Sequence, residues 1–177
     1  MVSKQIDTGK QIDTGKKIDT RKVGDRRQLR LDSIGEVWAE IDHVVQSDEA
    51  GRLQTLGNWT PGQIMAHIAA WIEYGYDGYP IGPPPWFIRW VLGWQVKKYL
   101  RDGMPTGVRI PGVENGTYGM DEMATKDAAE RLKSAFLRLK NGEPAKFDSP
   151  AFGSMDYEDR IRLNLRHAEL HVGFLKP

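Results

Sequence analysis

The chain has 177 residues, with 25 Lys and Arg against 24 Asp and Glu, a net charge of +1 and a pI near 7.9. That size allows one domain with or without a tail, and the charge balance leaves no global field to recruit nucleic acid, an acidic membrane or a polyanionic substrate. Apolar residues make up 40% of the chain, enough for a core, and the absence of cysteine excludes disulfides, thiolate metal sites, iron–sulfur clusters and a cysteine nucleophile. A metal here needs histidines or carboxylates.

Residues 4–21 are three near-copies of a six-residue unit, Lys-Gln-Ile-Asp-Thr-Gly twice and then Lys-Lys-Ile-Asp-Thr-Arg. One Ile per unit cannot offset the entropy of ordering, so residues 1–24 are expected to be a flexible tail ahead of a single helical domain, 25–177. The competing expectation uses the even period, which places Ile6, Ile12 and Ile18 on one side of an extended strand docking on a partner subunit. The N-terminus lacks the apolar stretch of a secretory signal, and a cytoplasmic protein is expected.

The first predicted helix begins after Ser33, a candidate N-cap with Glu36 three residues on, and carries Ile34, Val37, Trp38, Ile41, Val44 and Val45 to an end near Ala50-Gly51. His43 falls on its outer side and receives no role. Thr60-Pro61-Gly62-Gln63 announces the second helix, with a capping Thr, Pro at the first helical position and Gln at the third. Its inward stripe is Ile64, His67, Ile68, Trp71 and Ile72, and it stops near Gly78.

Tyr79 to Pro85 cannot be helical. Trp86 to Arg101 reads as a further amphipathic helix, too short and too charged, with Arg89, Lys97 and Lys98, to span a bilayer; it is a core helix or an interfacial one. Trp86, Trp90 and Trp94 recur every four residues, as in a core or a subunit interface, and a homodimer is expected from them. Residues 102–118 hold four Gly and two Pro, a long connection of the kind that forms lids or packed loops. Another helix is predicted over 121–140, with Ala128, Leu132, Ala135, Phe136 and Leu139 inward and Gly142 beyond its end. The last, about 156–174, has Ser154 or Asp156 as N-cap. Four principal helices without a convincing alternating strand predict an all-α four-helix bundle whose long Pro/Gly/Trp-rich crossover contains an extra helix.

The four histidines are His43, His67, His167 and His171. His167 and His171 stand at i and i+4, so both rings leave one helical face a turn apart, a spacing that suits two imidazoles on one metal ion. His67 lies in the inward stripe of another helix and can converge on them, and three His leave one tetrahedral position open. The competing reading is a set of core histidines satisfied by backbone carbonyls or water. Glu169 stands roughly 200° round the wheel from His167 and points away from the site, unlike the base of a zincin. Gln63, Tyr74 and Asn164 lie near the histidine faces and are candidates to hydrogen-bond the rings.

Leu56-Gly57-Asn58-Trp59-Thr60-Pro61-Gly62-Gln63-Ile64-Met65-Ala66-His67-Ile68-Ala69 resembles the opening of DinB/YfiT-like four-helix-bundle proteins. Asn164-Leu165-Arg166-His167-Ala168-Glu169-Leu170-His171-Val172-Gly173-Phe174-Leu175 looks like their final metal-binding helix. With Arg26-Arg27-Gln28-Leu29-Arg30-Leu31-Asp32-Ser33 ahead of the first helix, the chain is similar to a branch of that superfamily known only as a domain of unknown function. The resemblance implies a divalent ion, zinc or nickel, held by His67, His167 and His171. It also implies relatives that are thiol-dependent transferases or isomerases. The Trp86–Tyr118 insertion departs from them and is expected to reshape the pocket. The expected function is therefore a metal-dependent transferase or hydrolase acting on a small molecule, and the alternative is a non-catalytic dimeric binding module with a structural or vacant His cluster. Lys97, Lys98, Arg101 and Arg89 make too thin a basic face for nucleic acid, which ranks last, and no membrane partner is expected.

Overall fold

The computed structural model describes residues 17–177. Among the described residues are five α-helices: α1 (Ile34–Glu49), α2 (Pro61–Asp77), α3 (Trp86–Asp102), α4 (Thr125–Lys140) and α5 (Tyr157–Val172). The fold is an all-α bundle of α1, α2, α4 and α5, with α3 in the crossover and packed on α5. Its only sheet among the described residues is a two-residue antiparallel pair, β1 (Gln54–Thr55) with β2 (Leu175–Lys176), in the register Gln54 to Lys176 and Thr55 to Leu175.

The helix starts follow from side-chain chemistry. Ser33 Oγ accepts from the Glu36 N–H at 3.2 Å and starts α1. At α2, Thr60 Oγ1 accepts from Gln63 N–H at 3.2 Å while Gln63 Oε1 accepts from Thr60 N–H at 3.0 Å, a complete capping box. Asp156, not Ser154, caps α5, its Oδ1 accepting from Asp159 N–H at 2.7 Å.

The start of α4 lies at Thr125, four residues later than periodicity predicts. The intervening segment has other partners: Asp121 accepts from Arg131 at 2.7 Å, and the Met123 carbonyl lies so close to Gly62 that a Cβ there would meet its oxygen at 2.0 Å. Glycine at position 62 thus lets the lead-in to α4 pass over the first turn of α2.

α2 is buried along most of its length, from Gly62 to Tyr76, because it is apolar nearly all round. Val37, Ile41 and Val44 of α1 join the same core, as do Leu132, Phe136 and Leu139 of α4 and Leu165, Ala168 and Val172 of α5. Each large aliphatic or aromatic side chain buried there stabilises the fold by roughly 1.5–3 kcal/mol. α3 is different: only Leu100 is buried.

Within the expected tail, Ile18 has a partner on the body of the fold. Ile18 N–H donates to Asn58 Oδ1 at 2.7 Å and Asn58 Nδ2 donates back to Ile18 O at 2.9 Å. Asp19 then caps a single 3-10 turn, Thr20–Lys22. Two hydrogen bonds to one amide side chain thus join the main chain of this segment to the lead-in of α2. Ile6 and Ile12 lie outside the described residues. Farther on, residues 26–31 strap the end of α5. Arg26 donates to Leu170 O at 2.9 Å, Arg27 N–H to Gly173 O at 2.9 Å, and Arg27 pairs with Glu40. Among the described residues no helix is long and apolar enough to cross a membrane.

Candidate metal centre

His67 projects from the middle of α2 and is 2% exposed. His167 and His171 project from adjacent turns of α5, whose cap and strap fix the register of that helix against α2. The structure brings all three together: ring centroids are 5.0 Å apart for His67 and His167, 4.6 Å for His67 and His171, and 4.7 Å for His167 and His171. One ring nitrogen from each lies within 4.8 Å of the others, a group that could hold a metal ion.

The tautomer of His67 is set by its surroundings. Its Nδ1 is 2.8 Å from the carbonyl oxygen of Tyr118, which can only accept, so Nδ1 carries the proton and donates. That leaves the Nε2 lone pair pointing at the cluster, where His167 Nε2 is 3.2 Å away. This separation is close to the roughly 3.3 Å edge expected for a tetrahedral ion with metal–nitrogen bonds of about 2.0–2.1 Å.

Burial holds all three rings neutral. It lowers His67 to about 4, against a smaller opposing effect of the Tyr118 carbonyl, which favours the protonated ring. Burial also holds His167 and His171 well below the ordinary imidazole value, with repulsion from neighbouring rings adding to it and Arg26 acting on His171. Both α5 rings are only half-buried by exposure, because their open edges face a cavity.

That cavity measures about 1220 Å³ and has the three histidines on its wall. A smaller dip of about 470 Å³, at Gly142–Ala145, Tyr157 and Arg160, includes none of them. The large cavity is walled by α2, α5, the inner face of α3, the 104–118 connection, the Ala145–Met155 loop and the docked Lys17–Arg21 segment. Aromatic rings crowd the histidines: Trp59 stacks on His171 at 5.4 Å and 17°, and Trp71 meets His67 edge-on at 6.0 Å. The Trp71 Nε1–H is buried without a hydrogen-bond partner among the described residues.

The polar residues near the histidine faces have other duties. Gln63 is spent in the α2 capping box. Asn164 lines the cavity but donates to the Arg160 carbonyl at 2.9 Å. Tyr74 packs against Trp71 and Tyr79, and its hydroxyl stands over Gly119. No hydrogen bond joins any of the three to a histidine ring among the described contacts. The partner that orients His67 is a backbone carbonyl, which sequence reading missed because an acceptor of that kind belongs to every residue type; Gly119 beside it was the available signal. Glu169 points away from the rings as expected, and His43 is exposed on α1.

Fold and site together define a helical-bundle protein with a buried three-histidine cluster opening on a large, mostly apolar cavity. The chain belongs to the DUF1569 family, described as proteins of unknown function, whose model matches residues 23–177. No match was found among curated proteins or among solved structures.

Proposed function

We propose that this chain is a DinB-like metal-dependent enzyme, a transferase or hydrolase that handles a bulky apolar small molecule beside a three-histidine centre. The observation that carries the reading is the convergence of three neutral imidazoles on the wall of a large cavity. The donor set fits zinc or nickel, both of which accept imidazole. DinB-like kinship is supported by the two His-bearing segments, 56–69 and 164–175, now seen on neighbouring helices of one bundle.

His67, His167 and His171 would hold the divalent ion, which when bound would supply Lewis acidity and bring the pKa of a water or thiol toward neutrality. The chain has no cysteine, so any thiol comes from a substrate or co-substrate. His67 keeps its proton at Nδ1 on the Tyr118 carbonyl and offers Nε2. Trp59 and Trp71 pack on the rings, and the Trp71 Nε1–H, without a partner among the described residues, is a donor for an acceptor group on the ligand.

Untagged protein purified without chelator is expected to carry about one equivalent of divalent metal by elemental analysis, with His67→Ala losing it while keeping its helical signal. Sub-stoichiometric metal, with no rise in melting temperature on adding zinc or nickel, would sink the proposal. It would favour the binding-module reading instead, which the 3.2 Å Nε2 to Nε2 approach also permits as a His–His hydrogen bond.

Position 119 offers a finer test. Gly119 has φ +79°, and a Cβ there would meet Ala70 Cβ at 2.6 Å. Gly119→Ala should push the Tyr118 carbonyl off His67 and weaken metal affinity by about 10–100-fold with all three ligands present. Competition against a chromogenic chelator measures this, and an unchanged affinity would show that the carbonyl does not orient the ring.

A further inference from the structure

We propose that α3 docks this protein on an anionic membrane surface, laying its tryptophan face into the boundary between headgroups and acyl chains. At about 100° per residue, Trp86, Phe87, Trp90, Val91 and Trp94 fall within one arc of roughly 140°. The structure turns that arc outward: Trp86 is 81% exposed, Trp90 73% and Trp94 82%, with Phe87 and Val91 exposed between them. The expectation of a core helix fails at these positions, since α3 buries only Leu100. Indole rings have an apolar body and a polar N–H, the combination that favours a membrane–water boundary.

The cations complete the pattern. Lys97, Lys98 and Arg101 follow the aromatic residues on the same arc, and residues 86–101 contain no Asp or Glu. Asp102 is held by Arg101 at 2.7 Å, and Arg30, donating to the Arg101 carbonyl at 3.0 Å, adds another cation at this end. A net charge of +1 for the whole chain hides this local asymmetry. A second copy pairing through α3 would offer these cations only Asp102, which Arg101 already holds, whereas anionic lipid offers phosphates to the cations and a low-dielectric layer to the rings.

The opposite face of α3 gives docking a use. Ile88, Leu92 and Tyr99 line the histidine-bearing cavity, so a docked α3 would be the wall between that cavity and the lipid. A bulky apolar ligand dissolved in the membrane would then be within reach of the cavity. Docking itself requires no metal.

Co-sedimentation with vesicles of phosphatidylcholine, alone or with about one third phosphatidylglycerol, tests this together with tryptophan emission. The expected result is binding to the anionic vesicles, a blue-shifted emission, and release by about 0.5 M salt. Trp86→Ser/Trp90→Ser/Trp94→Ser should weaken binding at least about tenfold, and Lys97→Glu/Lys98→Glu should abolish the preference for anionic vesicles. The substituted side chains are exposed, so circular dichroism should be unchanged; if the tryptophan variant does not fold, the charge-reversal variant decides alone. Equal binding to both vesicle types, equal binding by the charge-reversal variant, or a stable dimer in sedimentation that shields the tryptophans from acrylamide would overturn the proposal. The dimer would assign the face to a second copy.

Discussion

Glu169→Ala is expected to destabilise the protein by about 3–5 kcal/mol, the usual consequence of removing one partner from a buried ion pair. Arg166 is 2% exposed and Glu169 7%, and the two are paired along one turn of α5. The same carboxylate oxygen accepts from the Leu31 N–H at 2.6 Å. Without it, the guanidinium keeps only the Leu31 carbonyl and Asp32, each at 3.3 Å, and its Nε already lacks a partner. The Leu31 N–H loses its acceptor as well. Glu169→Gln should be milder because it retains an oxygen for Leu31, and an Arg166→Met/Glu169→Leu double variant should recover much of the loss, since no charge then remains buried. Urea unfolding measures all three; a loss below about 1 kcal/mol for Glu169→Ala would mean that water reaches the guanidinium.

Acid should unfold the metal-free protein by charging its histidines. His67 is held at about 4 in the folded state against 6.5 in the free side chain. The unfolded chain therefore takes up the proton first, and the contribution of the neutral ring to stability is complete above pH 6.5 and is lost as pH falls from there toward 4. For His67 alone the span is worth about 3 kcal/mol. His167 and His171, shifted in the same direction by the same burial, add to it. The urea midpoint of chelator-treated protein should fall steeply between pH 6.5 and pH 4.5, and His67→Phe should flatten that fall. An equal slope in both proteins would place the acid sensitivity elsewhere.

Much of this molecule is visible in its residues before any coordinates. Ser33 and the Thr60–Gln63 box act as caps because capping depends on a side chain and its neighbour three residues away. The His cluster was legible for a related reason: i and i+4 fixes two rings relative to each other, and an inward stripe aims the third. What stayed hidden depends on partners distant in sequence or on the backbone. The β1–β2 pair joins residues more than 100 positions apart through two residues on each side, too few to show alternation. The α4 start moved because Met123 has a partner on α2 that periodicity within residues 121–140 cannot reveal. The helical wheel placed Glu169 away from the rings, but only the docked Leu31 segment makes it a buried anchor. In α3 the period revealed a tryptophan stripe without fixing its direction, and the structure turns it outward.

The histidines that approach at 3.2 Å come from helices whose contacting residues are 100 positions apart. Forming that contact closes a loop containing α3, the long connection and α4, and such a closure is entropically unfavourable until the helices flanking it have condensed. This end of the bundle is therefore expected to assemble late in folding. The metal ion proposed to bridge it would contribute little to a transition state formed earlier, and would act as a latch that slows escape from the native state while leaving the speed of folding almost unchanged.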